Sequence, residues 1–263
     1  MNKPFIIDAH MHIGSAGQLS VADPTVGHVV ALMDRLGIAR AIGSDHTALL
    51  EGGKTGLARM ARAFEESQGR VYGLAVVDPR AASKCLSELE SRLDWEGLAG
   101  IKIHPPCHQT PADDPSYRAV WEFAADHDLT ILAHSWSLSD YNPSQSLSVP
   151  RRFERWAREF ASVRLVLGHA GGRGTGRLEA IRLANECANV HLDFAGDIYC
   201  YRLIETLVKA VPSTKILFGS DFPWTGPSDH LSRVLLADIG DSDKAKILRL
   251  NAVNAYKVKM EPC

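Results

Sequence analysis

The chain has 263 residues, of which 45% are hydrophobic and 23% are charged, so it has enough apolar material for a sizeable core and is not expected to be disordered. Lys and Arg number 29 against 31 Asp and Glu, and the formal net charge of -2 excludes a basic surface for nucleic acid or an anionic membrane. A small-molecule substrate is the expected partner, with no nucleic acid and no membrane, and the sequence leaves open whether the chain forms a homo-oligomer.

Cysteine usage and the first residues indicate a cytoplasmic protein. The chain begins Met1-Asn2-Lys3-Pro4-Phe5 and runs into a strand-like segment that reaches the charged Asp8, which leaves no room for an apolar signal-peptide segment. The cysteines are odd in number and widely spaced, and they form no CxxC pair, which favours reduced thiols over a disulfide framework. They are Cys85, Cys107, Cys187, Cys200 and Cys263.

Eight short runs rich in Ile, Val and Leu recur along the chain, and each reads as a strand buried on both faces. In chain order they are Phe5 to His10, Ala39 to Ser44, Val71 to Val77, Leu98 to His104, Leu129 to His134, Val163 to His169, Asn189 to Phe194 and Lys215 to Asp221.

Amphipathic segments with a helical period separate these strands and follow the last one. They are Val26 to Leu36, Gly56 to Gln68, Ser83 to Leu93, Tyr117 to Asp126, Arg151 to Phe160, Arg177 to Ala188, Tyr201 to Ala210 and Ser242 to Tyr256. Eight strand and helix pairs in about 250 residues predict an α/β fold, a single (β/α)8 TIM barrel over residues 1–263. An open doubly wound sheet has the same alternation, but it usually carries a glycine-rich phosphate loop where this chain has His10-Met11-His12.

Ionisable side chains stand at the ends of several predicted strands, which in a barrel is the face where active sites form. Side chains two apart on a strand point the same way, so His10 and His12 can offer two imidazoles to one metal ion. Predicted strands 4, 5, 6 and 8 also end in ionisable residues. Their polar residues are Lys102 and His104, then His134, His169 and Asp221.

A single histidine after a strand is more often a hydrogen-bonded structural residue than a ligand, and a His-x-His pair also arises by chance. Packing alone gives no reason for strands 1, 4, 5, 6 and 8 to end alike. The coincidence therefore favours one shared site at this end of the barrel.

Five motifs in order resemble the amidohydrolase superfamily, and within it the amidohydrolase-2 group that includes aminocarboxymuconate semialdehyde decarboxylase and resorcylate decarboxylases. The motifs are Ile7-Asp8-Ala9-His10-Met11-His12, Gly100-Ile101-Lys102-Ile103-His104-Pro105, Leu132-Ala133-His134, Gly168-His169-Ala170-Gly171-Gly172 and Phe218-Gly219-Ser220-Asp221-Phe222-Pro223-Trp224. The segment around Asn251-Ala252 is similar to the closing helix of the family. The resemblance identifies the group far better than the substrate.

The resemblance implies a role for each matching residue. His10, His12, His134 and Asp221 would hold one divalent metal ion, most readily Zn2+, with Mn2+ or Fe2+ as alternatives. Asp221 would also exchange a proton with metal-bound water, and His169 would orient or protonate the reacting group. Lys102 is open between a carbamylated metal bridge and a contact with an anionic substrate, and Lys102 and His104 are both retained as substrate-side candidates.

Such a centre implies one of two reactions. A cation with an open coordination position lowers the pKa of bound water toward about 7, which suits hydrolysis of an amide, ester or lactone. The same centre could instead assist loss of CO2 from an aromatic or unsaturated acid, as in the decarboxylase relatives, or a hydratase reaction. Some relatives hydrolyse lactones without metal. A catalytically inactive binding barrel is the third alternative, and the complete set of polar residues argues against it.

Loops after the strands supply further candidates. Trp136, Arg173 and Trp224 are expected to contact substrate, although loop aromatics often only pack a loop down. Cys107 and His108 lie in a predicted loop, where they either line the pocket or face solvent. The segment from Ser135 to Pro150 is either a lid or an ordinary surface loop. No catalytic role is assigned to Asp45, His46 or Asp78, and Asp78 is expected to cap the next helix.

Overall fold

The computed structural model describes residues 5–14 and 25–258. Cys263 and the first four residues, on which the sequence arguments about thiols and a signal segment partly rest, lie outside this range. Eight parallel strands pair in sequence order. They are β1 (Ile6–Ile13), β2 (Ile38–Asp45), β3 (Val71–Val76), β4 (Leu98–Ile103), β5 (Thr130–His134), β6 (Leu165–Gly168), β7 (Val190–Asp193) and β8 (Ile216–Leu217).

Backbone hydrogen bonds between β1 and the residues that follow β8 bring the two ends of the sheet together. Ala9 N–H donates to the Phe218 carbonyl oxygen at 2.8 Å, and Asp221 N–H donates to the His10 carbonyl oxygen at 2.7 Å. The sheet is thus a nearly closed barrel with helices between its strands, and the predicted TIM-barrel fold is confirmed.

Twelve helical segments cover the barrel in the described residues. They are α1 (Val26–Leu36), α2 (His46–Glu51), α3 (Leu57–Glu66), α4 (Ala82–Glu90), α5 (Pro105–His108), α6 (Arg118–Asp126), α7 (Glu154–Glu159), α8 (Gly174–Glu186), α9 (Leu203–Ala210), α10 (Pro227–Leu235), α11 (Asp241–Ala245) and α12 (Asn251–Tyr256). A π-helical turn, Lys246–Leu250, joins α11 to α12, and single 3-10 turns occur at Pro79–Ala81, Pro115–Tyr117, Pro143–Ser148, Pro150–Phe153, His169–Gly171 and Ser213–Lys215. No helix in these residues is long and apolar enough to cross a membrane.

The structure differs from the sequence-based elements in three additional helices and in the length of the last strand. The helices α2, α5 and α10 were not predicted, although Pro227 at the first turn of α10 and Asp229 behind it are ordinary helix-start signals. The predicted eighth strand was too long, because after Leu217 the Phe218 N–H turns to the carbonyl oxygen of Ile247 in the π-helical turn.

The barrel has an inner and an outer apolar layer. The inner cluster contains Ile7 and Leu132 together with Tyr256 of α12. The outer cluster, between strands and helices, contains Met11 and Ile131. Successive residues of a strand alternate between the two layers, so the inward residues near the carboxyl ends of the strands are left for the functional site.

Asn251 is predicted to be a stability determinant of the barrel closure. Its buried side-chain amide donates to the carbonyl oxygens of Ser213 and Ile216, both at 2.7 Å. Asn251→Ala leaves these oxygens without their donor and should lower the free energy of unfolding by about 2 kcal/mol. Urea denaturation measures the change. Asn254→Ala, which alters an exposed amide on the same helix, is the control and should change it by less than about 0.5 kcal/mol.

Candidate active site

A cavity of about 540 Å3 opens at the carboxyl ends of the strands. It gathers residues that are far apart in sequence, because all eight parallel strands end at the same face. Eight of the predicted site residues line it: His12, Lys102, His104, His134, Trp136, His169, Asp221 and Trp224.

An irregularity in β1 sets the direction of the two predicted strand 1 histidines. The register between β1 and β2 shifts between Asp8 and Met11. Before the shift Ile7 and Ala9 face the inner layer, and after it Met11 packs in the outer layer while His12 lines the cavity. One extra residue in a strand reverses which side chains face inward, so the shift places the imidazoles inside the barrel.

The Asp8 carboxylate supports this irregular backbone from within. Its Oδ1 accepts hydrogen bonds from His10 N–H at 3.2 Å and from Ser220 N–H at 3.0 Å. Burial raises the pKa of Asp8 to about 7, and the hydrogen bonds from Ser220 and His10 act against the rise. Asp8 therefore connects the β1 bulge to the segment that carries Asp221.

Three side chains converge on one point in the barrel mouth. The ligand atoms of His10, His12 and Asp221 all lie within 4.8 Å of one another. Asp221 Oδ1 is 3.1 Å from His12 Nε2 and 3.5 Å from His10 Nε2. Two imidazole nitrogens and a carboxylate oxygen are a ligand set that suits Zn2+ and related divalent cations.

The other ring nitrogen of each histidine is occupied by a hydrogen bond from behind. His10 Nδ1 is 3.0 Å from Asp193 Oδ2, and His12 Nδ1 is 2.9 Å from Ser44 Oγ. Supporting contacts of this kind orient metal-binding imidazoles in proteins, and here they direct the opposite nitrogens, His10 Nε2 and His12 Nε2, toward Asp221.

Burial sets the protonation states of His10, His12 and Lys102. Burial, together with the Lys102 cation, holds the pKa of His10 well below its usual value, and burial likewise lowers that of His12. Lys102, whose Nζ is 2.7 Å from His10 Nε2, has its pKa lowered to about 8 by burial. The two imidazoles are therefore neutral near pH 7, which is the form that binds metals.

Asp221 retains its negative charge despite burial. Burial acts to raise its pKa, but the neighbouring His169 and a hydrogen bond from His12 outweigh that effect and hold the pKa well below the usual range. The backbone of Asp221 is in the left-handed region, with φ of 62°. An ionised carboxylate fixed at this point can bind a cation or accept a proton.

His134 stands beside the three converging residues rather than among them. Its Nδ1 is 3.0 Å from His169 Nε2, and its Nε2 is 2.9 Å from Gln145 Oε1. His134 is not within the group formed by His10, His12 and Asp221. His134 and His169 instead form a hydrogen-bonded chain along the cavity wall, which ends at Gln145 on the 135–149 loop.

The expected substrate-side residues take different positions. His104 stacks on His134 with ring centroids 4.1 Å apart, and Trp136 lies parallel to the same imidazole at 6.1 Å. Arg173 is not part of the cavity lining. Its guanidinium donates to the carbonyl and carboxylate oxygens of Asp197, which does line the cavity.

Residues that the sequence left without a definite role are now placed. Cys107 lines the cavity, whereas His108 is buried and its Nδ1 is 3.3 Å from the Tyr117 hydroxyl. Asp78 caps the turn that follows it by accepting a hydrogen bond from Arg80 N–H, as expected. Tyr141 and its neighbours bring part of the segment between Ser135 and Pro150 over the cavity.

Sequence reasoning gave no site role to several polar residues that lie at the site, among them Asp193, His46 and Gln145. Asp193 ends β7 as His134 ends β5, so the rule that found the other strand ends also applies to it. His46 lines the cavity and its Nε2 accepts a hydrogen bond from Trp224 Nε1–H at 3.2 Å. Gln145 carried no sequence signal, since its contact with His134 depends on how the loop folds back.

Comparison with solved structures supports the fold. The chain is similar to 5-carboxyvanillate decarboxylase from Sphingomonas paucimobilis, with 15% identity and a TM-score of 0.75 over 97% of this chain and 99% of that one. It is also similar to a probable 2-pyrone-4,6-dicarboxylic acid hydrolase from Acinetobacter baumannii, with 16% identity and a TM-score of 0.71 over 96% of this chain and 99% of that one.

A third similar structure contains a metal. It is 5-carboxyvanillate decarboxylase from Novosphingobium aromaticivorans, complexed with manganese and 4-hydroxy-3-methoxy-5-nitrobenzoic acid. Identity is 14% and the TM-score is 0.74, over 97% of this chain and 96% of that one. A search of curated protein sequences found no match.

A parallel barrel with imidazoles and carboxylates gathered at the carboxyl ends of its strands is the arrangement of a TIM-barrel enzyme. Residues 7–258 match the profile of the family described as Amidohydrolase, and the chain belongs to that family. The predicted resemblance is thereby confirmed. Both decarboxylases and hydrolases have this architecture, so membership establishes an enzyme but leaves the reaction to the site.

The Cys107 thiol offers a test of burial at the cavity wall. Burial raises the pKa of Cys107 to about 11, and the positive charge of Lys102 only partly opposes this. In a Cys200→Ser/Cys263→Ser variant, the rate of Cys107 alkylation by iodoacetamide should rise about tenfold per unit between pH 7 and 10, because only the thiolate reacts. Mass spectrometry follows the labelled residue. In the urea-denatured chain the rate should level off near about pH 9; a similar plateau in the folded protein would contradict the expected burial.

Proposed function

We propose that the protein is a metal-dependent hydrolase that cleaves an amide, ester or lactone bond of a small carboxylated molecule. The observation that carries this proposal is the convergence of His10 Nε2, His12 Nε2 and Asp221 Oδ1 at a cavity of about 540 Å3. A neutral nitrogen pair beside an ionised carboxylate is suited to a divalent cation. The cavity is large enough for a small organic substrate.

The donor set fits one divalent cation, for which we propose Zn2+, with Mn2+ and Fe2+ as alternatives. The manganese in the Novosphingobium decarboxylase supports a transition metal in this fold. When bound, such a cation supplies a Lewis acid that polarises a substrate carbonyl and makes water more acidic. His10, His12 and Asp221 form the core of the proposed centre. His134 is proposed as the fourth ligand, and its ring is held beside the other three by His169 and Gln145.

The remaining side chains have roles in binding and proton transfer. Asp221, whose carboxylate faces the cavity, accepts the proton that the attacking water loses. His169, 3.0 Å from His134, delivers a proton to the leaving group and is supported by its neighbour during that transfer. Lys102 places the buried positive charge of the cavity where a substrate carboxylate or a developing oxyanion can pair with it.

A non-oxidative decarboxylase of an aromatic or unsaturated acid is the second candidate, and the walls of the cavity favour it. The rings of His104, His134 and Trp136 are parallel and line the cavity, where a planar acid can stack on an aromatic ring. Two of the similar structures are decarboxylases. In this reaction His169 would protonate the carbon that loses CO2. The hydratase and inactive-barrel alternatives have no specific contact in their favour.

The proposal also covers the domain organisation, the cellular location and the partners of the enzyme. We infer that one barrel domain accounts for residues 1–263 and that the enzyme acts in the cytoplasm without a nucleic-acid partner. The free thiols of Cys85, Cys107, Cys187 and Cys200 support that location, because a reducing compartment keeps them free.

Removal of the two strand 1 imidazoles should abolish metal binding. Protein purified without a histidine tag and loaded with Zn2+ should retain about one equivalent after gel filtration, and His10→Ala/His12→Ala should retain less than about a tenth of that. Elemental analysis provides the measurement. His127→Ala removes an exposed imidazole and should bind like wild type. Equal zinc in both variants would rule out this centre, and zinc retained by His134→Ala would show that His134 is not required.

Product analysis distinguishes hydrolysis from decarboxylation. A panel of carboxylated lactones, amides and aromatic acids labelled with 13C at the carboxyl group is incubated with the metal-loaded enzyme and followed by NMR. Hydrolysis predicts a new carboxyl or alcohol signal with the label retained, whereas decarboxylation predicts labelled bicarbonate. Asp221→Asn should reduce either rate by about 100-fold or more, because it weakens the proposed metal site and, in hydrolysis, also removes the proton acceptor. Labelled bicarbonate as the sole product would overturn the hydrolase assignment.

A further inference from the structure

We propose that Asp193 is a positioning residue that selects the His10 tautomer with hydrogen on Nδ1 and a free electron pair on Nε2. The inference rests on the proposed function, because the electron pair on His10 Nε2 is the one that a bound metal ion would use. Asp193 is the last residue of β7. It faces Nδ1 of the His10 ring, whereas Nε2 of the same ring faces Asp221, and neither the Asp193 nor the His10 side chain is exposed to solvent.

The first contact that defines the tautomer is made by the carboxylate. Asp193 Oδ2 is 3.0 Å from His10 Nδ1, and a carboxylate oxygen accepts a hydrogen bond. His10 Nδ1 must then carry the hydrogen. In a neutral imidazole only one ring nitrogen is protonated, so Nε2 keeps its electron pair.

Lys102 provides an independent indication on the opposite side of the ring. Its Nζ lies 2.7 Å from His10 Nε2. An ammonium group has three donors and no acceptor, so Nε2 has to accept this hydrogen bond. The cation on one side and the carboxylate on the other favour the same tautomer.

The second oxygen of Asp193 fixes the turn that carries His169. Asp193 Oδ1 accepts hydrogen bonds from His169 N–H at 2.9 Å and from Ala195 N–H at 3.0 Å. The turn contains two consecutive left-handed residues, with φ of 61° at His169 and 46° at Ala170, a conformation that needs such support. His169 Nδ1 lies 2.9 Å from the Ala195 carbonyl oxygen, which directs its Nε2 toward His134.

Close packing holds the His10 ring independently of the hydrogen bond. A Cβ at Gly168 would lie 3.1 Å from His10 Cε1, and one at Gly219 would lie 2.8 Å from His10 Cβ. The backbone at the end of β6 therefore approaches the ring, and the backbone after β8 approaches the His10 Cβ, each at a residue without a side chain. A change at the Oδ2 position should alter the tautomer of His10 more than its location.

Asp193→Asn separates the two functions of the carboxylate. The amide oxygen can still accept from His169 N–H and Ala195 N–H, whereas the amide nitrogen becomes a donor toward His10 Nδ1. The hydrogen of His10 should then move to Nε2. In serine proteases, replacing the carboxylate beside the catalytic histidine with an amide leaves the geometry intact but gives the imidazole the wrong tautomer, and most of the activity is lost.

The experiment combines 15N NMR of histidine-labelled, metal-free protein with zinc titration. His10, assigned with a His10→Gln variant, should have its hydrogen on Nδ1 in wild type and on Nε2 in Asp193→Asn. Zinc affinity should fall about 10- to 100-fold while the melting temperature stays within a few degrees. Asp197→Asn, which changes a half-exposed carboxylate of the cavity lining, is the matched control and should leave the His10 signals unchanged.

Two further results keep the test decisive. If wild-type His10 already carries its hydrogen on Nε2, or if Asp193→Asn leaves the tautomer unchanged, the proposal is wrong. Lys102→Met should retain the wild-type tautomer; its loss there would show that Lys102 rather than Asp193 selects it. Because the NMR is done without metal, a failure of zinc binding in wild type would refute the proposed centre and leave the tautomer result standing.

Discussion

The bulge in β1 is the constraint on which the site depends. In a regular strand the side chains that follow Ile7 and Ala9 on the inner face would be Met11 and Ile13, and the two imidazoles would point into the helix layer. The shift between Asp8 and Met11 reverses this, and Asp8 supports it through N–H groups on both β1 and the segment after β8. One buried carboxylate thus links the histidine pair to the backbone that carries Asp221.

Burial of so many polar groups has to be offset by contacts within the site. His10, Lys102 and Asp193 have no exposed surface, and an isolated charge in such a place would be very costly. Each is bonded to another member of the group or to backbone N–H donors. The same contacts that reduce this cost also restrict each ring to one orientation, so the network that stabilises the site also preorganises it for binding.

The same set of proposed site residues suits hydrolysis and decarboxylation. Both would need a cation site, a proton-transfer pair and a positive charge for a carboxylate, and in the proposed function His10, His12, Asp221, His169 and Lys102 supply these for either reaction. The barrel and the strand ends are common to both kinds of similar structure. What differs between the reactions is which bond of the substrate is presented to the centre, and that is decided by the loops around the cavity.

The sequence by itself determined the barrel, because parallel strands buried on both faces leave an apolar run that is visible without a structure, and it identified the strand ends at His10, His12, Lys102, His134, His169 and Asp221. Only the tertiary structure decided which of these converge. His134 turned to His169 and Gln145, and Arg173 turned to Asp197, through loop contacts that have no periodic signal. Asp193 at the end of β7 and His46 directly after β2 are brought to the site only when the barrel folds. A linear pattern reports which face a residue occupies, whereas hydrogen-bond partners depend on how the chain closes in space.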